Sequence, residues 1–414
     1  MGFNEKETEA ILDSNESLRF TEFELIRRRI HILQSAGIIG SSLSRLVSKR
    51  PDVLTSHEIN SFLRFVVTDF RSEFRGKIGE LQIERLLSAA DFRFLPEFEA
   101  KIRLLLKFGI PKETLADFLN SINLTKSLGL KSMEETQRAL DYLQPFGGSK
   151  LLLRRPAILD YDLKSQLIPR IDFLLQLSGN DVEATAKVLY RFPFCLSYTV
   201  DHVNGHVEFL HSNAGLSHDE IFKILLVYPS LLSASRTRKL KPRIEFLKLC
   251  GLNSHDIFKF LLRAPLFLSL SFEDNLANKL VLLVKLGHTN RTKELAMAMG
   301  AVTRCSCKNF QEVIGLFLNY GLSCRDIFEM SRRHPQVLQY NPDSLEEKLD
   351  YLVGEMGREV REVVLFPAYL GYNLDDRIKH RFEEKRKAVT EGMSINKLLT
   401  VSAATFSTGK EDRR

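Results

Sequence analysis

Seven prolines divide the chain at nearly regular intervals, each followed three residues later by leucine: Pro51/Leu54, Pro156/Leu159, Pro193/Leu196, Pro229/Leu232, Pro265/Leu268, Pro335/Leu338 and Pro367/Leu370. From Pro156 onward the steps are 37, 36, 36, 70 and 32 residues. Inside a helix a proline removes a backbone donor and clashes with the preceding turn, at a cost of about 3 kcal/mol. A chain that places this breaker at a fixed period is using it as punctuation between like units. The step of 70 reads as two periods with Gly300 in the proline position, and the gap before Pro156 accommodates weaker units near Asp91 and Leu124. About ten units then cover residues 1–387, the mark of a solenoid. Units within 1–150 are less regular than those within 151–387, and a polar C-terminal tail is expected at 388–414.

Each unit has the same internal logic. A first helix carries apolar residues at helical spacing, as in Ile171, Leu174 and Leu175 or Ile244 and Leu247, and stops at a glycine such as Gly215, Gly251 or Gly321. A second helix restarts at once, with Ser217 and Glu220, or Asn180 and Glu183, at the spacing of a reciprocal N-terminal cap. It runs apolar through Ile221, Phe222, Leu225 and Leu226 until Pro229 redirects the chain into a short third turn, PSLL, that packs back as a lid. No sustained alternating pattern appears, so the expected fold class is all-α, a superhelical solenoid of α,α,3₁₀ repeats.

A hydrophobic content of 44% supports a large core. The apolar run from Ile257 to Leu270 is broken by Lys259, Arg263 and Pro265 and falls short of the roughly 20 residues of a membrane span, so no membrane partner is expected. Five cysteines without a disulfide framework fit a reducing compartment. The net charge is +7, with 59 Lys and Arg clustered most densely at 236–243 and 377–387, which points to an acidic partner such as nucleic acid. Glu5, Glu7 and Glu9 do not suit an Arg- and Ser-rich, acid-poor transit segment, so any such segment is expected outside this chain.

Two basic columns recur in phase. The first stands just before the first apolar position of helix one: Arg29, Lys101, Arg170, His206, Arg243, Lys279 and Lys348. Positive charge near a helix N-terminus opposes the macrodipole by about 0.3–1 kcal/mol where exposed, so its repetition suggests a ladder of phosphate contacts. The alternative is that long stems cover the neighbouring unit's apolar surface. The second column stands two residues before the proline, at Lys49, Arg154, Arg191, Arg263 and Arg333, extended by Arg50, Arg155 and Arg332. Here the helix C-terminus favours cations in any case, so capping competes with phosphate contact. The segment RTRKLKPR adds Arg236, Arg238, Lys239 and Lys241 before Arg243. Tyr190, Phe192 and Tyr228, beside the second column, are candidates for stacking on bases.

Units of the form helix, Gly-Leu, helix, Pro-x-x-Leu, as in CGLNSHDIFKFLLRAPLFLSLS and YGLSCRDIFEMSRRHPQVLQY, resemble the mitochondrial transcription termination factor (mTERF) family. The closing segment FPAYLGYNLDDRIKHRFE, Phe366 to Glu383, is similar to the family's C-terminal signature, with His380 where a proline is usual. The resemblance covers almost the whole chain and looks most like plant members. It implies a curved superhelix that binds organellar nucleic acid in a basic concave groove, in a chloroplast or mitochondrion, to regulate transcription, including its termination. Double-stranded DNA is the expected partner, with RNA as a further possibility and a monomer as the expected state. Arg377 and Arg381 occupy the positions of the signature arginines, which the resemblance takes to the nucleic-acid backbone; pairing with Glu383 and Glu384 is the competing role. A protein-binding scaffold, and RNA splicing or ribosome assembly, are the alternative functions.

Catalysis is not expected. The chain lacks GxxxxGK[ST] and HExxH motifs, and PFGGSK at Pro145–Lys150 reads as a turn. Cys305, Cys307 and Cys324 lack a fourth metal ligand at usual spacing, and Asp375-Asp376 reads as a solvated pair. No cofactor or metal is expected.

Overall fold

A computed structural model describes residues 3–74, 76–390 and 392–400. Every regular element in these residues is helical. The chain divides into two compact units, Met1–Gly205 and His206–Arg414. After two N-terminal helices, Glu5–Ser14 and Ser17–Phe20, ten repeats follow one another. Repeats 1 to 5 lie in the first unit and 7 to 10 in the second, with the boundary in the sixth.

Repeat 7 shows the plan. Helix one, Lys241–Leu249, is entered through a π-helical turn, Arg236–Leu240; helix two is Ser254–Arg263, and the lid is a 3₁₀ turn, Pro265–Leu268. The turn between the helices needs a left-handed residue, supplied by Gly251 at φ 79°. Helix two then starts on a capping box: Asn253 accepts from the Asp256 N–H while the Asp256 carboxylate accepts from the Asn253 N–H. Ser217 and Glu220 form the expected box in repeat 6. In repeat 5 the cap is one residue later than the sequence suggests. Asp181 accepts from the Ala184 N–H, because Asn180 is spent on the turn at φ 66°.

Proline acts as the sequence implies, at the first position of the lid, where a missing N–H costs nothing. The residue before it is forced out of the helical region. Phe192, Tyr228, Ala264, His334 and Phe366 all sit near φ −129 to −144°, ψ 55 to 77°. This common bend turns the lid back so that its leucine is buried, as at Leu196, Leu232, Leu268, Leu338 and Leu370.

Two sequence expectations shift. Residues assigned to the tail form a helix, Ile395–Thr400, whose Ile395, Leu398 and Leu399 are buried; residues 401–414 of that tail lie outside the described residues. Gly300 does not take the place of the proline: it lies inside helix two, Lys293–Ala301, and Val302 opens the lid; glycine stands there for a packing reason. A Cβ there would stand 2.6 Å from the Phe260 ring and 3.3 Å from the Ala264 Cβ. Phe260 is itself wedged edge-on against Phe267, centroids 5.2 Å apart. Gly300→Ala is therefore expected to lower stability by about 1–2 kcal/mol, overpacking outweighing the gain of about 1 kcal/mol in helix propensity; thermal denaturation of the variant checks it.

Candidate nucleic-acid interface

The first basic column is turned inward. A 3₁₀ lid about one turn long leaves its last carbonyls without intrahelical donors, and burial makes those orphans costly. In each case a side chain from helix one donates to carbonyls at the lid of its own repeat, Lys101 reaching also into the lid of the repeat before. Arg29 Nη1 and Nη2 donate to the Val53 and Ser56 carbonyls at 3.1 and 3.0 Å. Arg170 Nη1 donates to Leu196 at 2.6 Å and His206 Nε2 to Ala234 at 2.9 Å. Arg243 Nη2 donates to Leu270, Lys279 Nζ to Cys305 at 2.7 Å, and Lys348 Nζ to Leu370 at 2.9 Å. Lys101, fully buried, reaches three carbonyls, those of Phe94, Leu128 and Lys131 at 3.0, 3.0 and 2.6 Å. Burial pushes the Lys101, Lys279 and Lys348 ammonium groups, and the Arg29 and Arg243 guanidinium groups, below their usual pKa values.

The phosphate ladder expected from this column thus gives way to an internal clamp, because the nitrogens are committed to lid carbonyls. Two members escaped the sequence reading. Lys131 donates to the Leu159 and Tyr161 carbonyls, both at 2.7 Å, and Asn309 Nδ2 donates to Tyr340 at 3.3 Å. Lys131 lies thirty residues after Lys101 and thirty-nine before Arg170, out of step with a period near 36, and Asn309 carries no charge, so neither was marked by charge at regular spacing.

The signature arginines follow the same rule. Arg381 Nη1 donates to the Leu398 and Leu399 carbonyls, both at 3.0 Å, and Arg377 Nη2 donates to Leu399 at 2.7 Å. Arg381 is buried, and Arg377 stacks over Tyr372 at 4.4 Å. Fourteen residues past Pro367, Arg381 stands where Arg243 stands past Pro229, and Arg377 matches Lys239, whose Nζ donates to Ser269 at 3.3 Å. These arginines hold the helix Ile395–Thr400 against the segment that carries them. Neither the resemblance nor the charge pattern implied these contacts, and the Glu384 carboxylate also acts electrostatically on Arg381.

The second column is turned outward. Lys49, Arg154, Arg191, Arg263 and Arg333 are all exposed, each at the C-terminal end of a second helix. Arg154 lies over the Tyr190 ring at 4.7 Å. Arg333 Nη1 donates to the Val364 carbonyl of the next repeat at 2.9 Å. Arg304, in the lid of repeat 8, joins this edge by donating to the Arg263 carbonyl at 3.3 Å; the loss of the marker proline hid it from the sequence reading. Arg236, Arg238 and Lys239 are exposed on the π-helical turn that enters repeat 7. Of the stacking candidates, Tyr190 has one face covered by Arg154, Phe192 is half-buried, and Tyr228 donates its hydroxyl to Ser269 Oγ at 2.6 Å.

Two-helix repeats with a proline-entered lid, an internal donor clamp and an outward basic edge define a helical-repeat solenoid. The chain belongs to the mTERF family, whose model matches residues 1–289 and 238–407. It is 54% identical over 407 residues to the Arabidopsis thaliana protein "Transcription termination factor MTERF8, chloroplastic", covering 98% of this chain and 80% of that one. It is 25% identical over 323 residues to "Transcription termination factor MTEF18, mitochondrial" of the same plant, covering 71% of this chain and 50% of the relative. A third relative, "Transcription termination factor MTERF15, mitochondrial", is 27% identical over 201 residues, covering 48% and 43% of the two chains. Membership makes this a protein of organellar gene expression. No helix among the described residues is long and apolar enough to cross a membrane.

The clamp yields two expectations. Lys101→Met keeps the stem but orphans three buried carbonyls, and should cost about 3 kcal/mol, read as a lower urea midpoint. Arg377→Ala with Arg381→Ala should melt early yet keep the salt dependence of duplex binding; an unchanged melting temperature with a shallower salt slope would return these arginines to the phosphate backbone.

Proposed function

We propose that the chain binds double-stranded DNA as a monomer through the exposed cations of the pre-proline edge in each unit, and regulates organellar transcription, including its termination. One observation carries this. Among the described residues, Lys49, Arg154, Arg236, Arg238, Arg263 and Arg304 have no carboxylate within ion-pair distance. Some cations on other helix faces are matched within a turn or across repeats, as Lys187 to Glu183, Lys223 to Asp219 and Lys293 to Asp256, each at 2.7 Å, while others, such as Lys107, Lys259 and Lys285, are exposed without such a pair among the described residues. Of these six, Lys49, Arg154 and Arg263 recur at the pre-proline position, and uncompensated charge in phase with the repeat is suited to a partner that brings its own regularly spaced anions, such as the nucleic-acid backbone.

Arginine supports the reading, since its planar fork takes phosphate oxygens in pairs. A repeating edge of this kind positions the backbone and carries little sequence information by itself. Identity of 54% with a chloroplastic relative favours the chloroplast as the organelle.

Neutralising about 6 phosphates should give a log–log salt slope near −5 on duplex DNA. Fluorescence anisotropy of a labelled 30-base-pair duplex, titrated at several salt concentrations, measures it; a slope near zero would overturn the phosphate-edge reading in favour of a protein-binding scaffold.

A further inference from the structure

The basic edge is interrupted at one place by a cleft of about 520 Å³, within the range of ligand sites at roughly 300–1,000 Å³. It spans three consecutive repeats of the second unit. Arg263 comes from repeat 7, Arg304 from repeat 8, and Gln336 and Gln339 from the lid of repeat 9, with Phe260 and Met297 among its apolar walls. The cleft lies at the repeat whose lid opens on Val302 without the marker proline, and in which Gly300 lets helix two, Lys293–Ala301, pack close against Phe260. An irregularity in an otherwise regular series, maintained by a glycine that tolerates no Cβ, marks a position with a duty beyond stacking.

The lining has a definite chemistry. Other lids place Asp52, Ala157, Phe194, Ser230, Leu266 or Ala368 directly after the proline, and only the lid of repeat 9 carries carboxamides both there and three residues on. Among the described residues, neither carboxamide nor the Arg263 guanidinium has a hydrogen-bond or ion-pair partner. A carboxamide offers one donor and one acceptor side by side, complementary to the N6 amino group and N7 of adenine, whereas guanine presents two acceptors that suit arginine.

We infer that this cleft is where the chain reads base identity: Arg263 and Arg304 hold a phosphate at its rim, while Gln336 and Gln339 meet the major-groove edge of an adenine. The inference rests on the phosphate-edge reading and adds to it the element that reading lacks, a contact that distinguishes one sequence from another. Cations that hold the backbone and amides that face a base are then adjacent within a single structural feature.

Selection from a pool of duplexes with a randomised 20-base-pair core tests it, comparing the full chain with Gln336→Ala/Gln339→Ala and with Arg263→Ala/Arg304→Ala. The unmodified chain should enrich a motif containing adenine at a defined position. The glutamine variant should lose roughly tenfold of the preference at that position while keeping its salt slope. The arginine variant should bind all sequences more weakly, with the slope reduced by about 2. Gln336→Glu/Gln339→Glu preserves side-chain volume and should lose the same preference, which keeps the test valid if the alanine variant proves unstable. A motif that survives in both glutamine variants, or no motif at all, would overturn the base-reading site while leaving the phosphate edge standing. Duplex binding without salt dependence would instead remove the phosphate edge itself.

Discussion

The hydrogen bonds from helix one to the carbonyls at the end of the lid are the interaction on which the repeat depends. Proline turns the chain back after helix two, but a one-turn 3₁₀ segment cannot satisfy its own last carbonyls, and the bend buries them. His206 and Asn309 each meet a carbonyl at the end of the lid. Cations complement the negative end of the turn, some answering two or three carbonyls, as Arg29 and Lys101 do, and others one, as Lys279 and Lys348 do. The cost of desolvating each charge is met by these bonds, and removing one partner strands the other. Lid and first helix are thereby tied across the repeat, leaving apolar faces to stack on neighbours.

This clamp divides the basic residues into two populations with different work. Those at the start of helix one lie over the lid and are consumed by it. Those at the end of helix two lie where the proline bend brings a helix C-terminus to the surface, a position that favours positive charge electrostatically and leaves it accessible. Arg333 shows that the outward position also serves stacking, since it reaches carbonyls of the next repeat. Arg154 and Arg263 have no such commitment and remain available to a polyanion.

The least regular repeats are informative because each departure has a packing cause. At Gly300 the close approach of Phe260 excludes any side chain, helix two runs on, and the cleft bearing Arg304 opens beside the Gln336 and Gln339 pair. At the C-terminus, Ile395–Thr400 takes the place of a lid and receives Arg377 and Arg381 as earlier lids receive Lys239 and Arg243. The helix Ile395–Thr400 is held by the same chemistry as the lid of each preceding repeat.

The sequence by itself determined the all-helical fold, the repeat length, the lids and most helix boundaries, because these follow from local rules. Proline at the head of each lid disfavours a helical predecessor, glycine permits the left-handed turn at Gly251, and Ser217 with Glu220 caps within four residues. It also marked both basic columns, since periodicity shows which positions are alike. Only the tertiary structure decided which column faces solvent. Arg243 and Arg263 are equally charged and equally periodic, and what separates them is a carbonyl, Leu270, twenty-seven residues from the first and placed beside it by the fold of the lid. The same holds for Arg381, whose acceptors lie on a helix that polar composition hid, and for the Gln336 and Gln339 cleft, assembled from three repeats whose proximity no local pattern records. Hydrogen bonds between segments distant in sequence depend on where the backbone returns, and that is a property of packing.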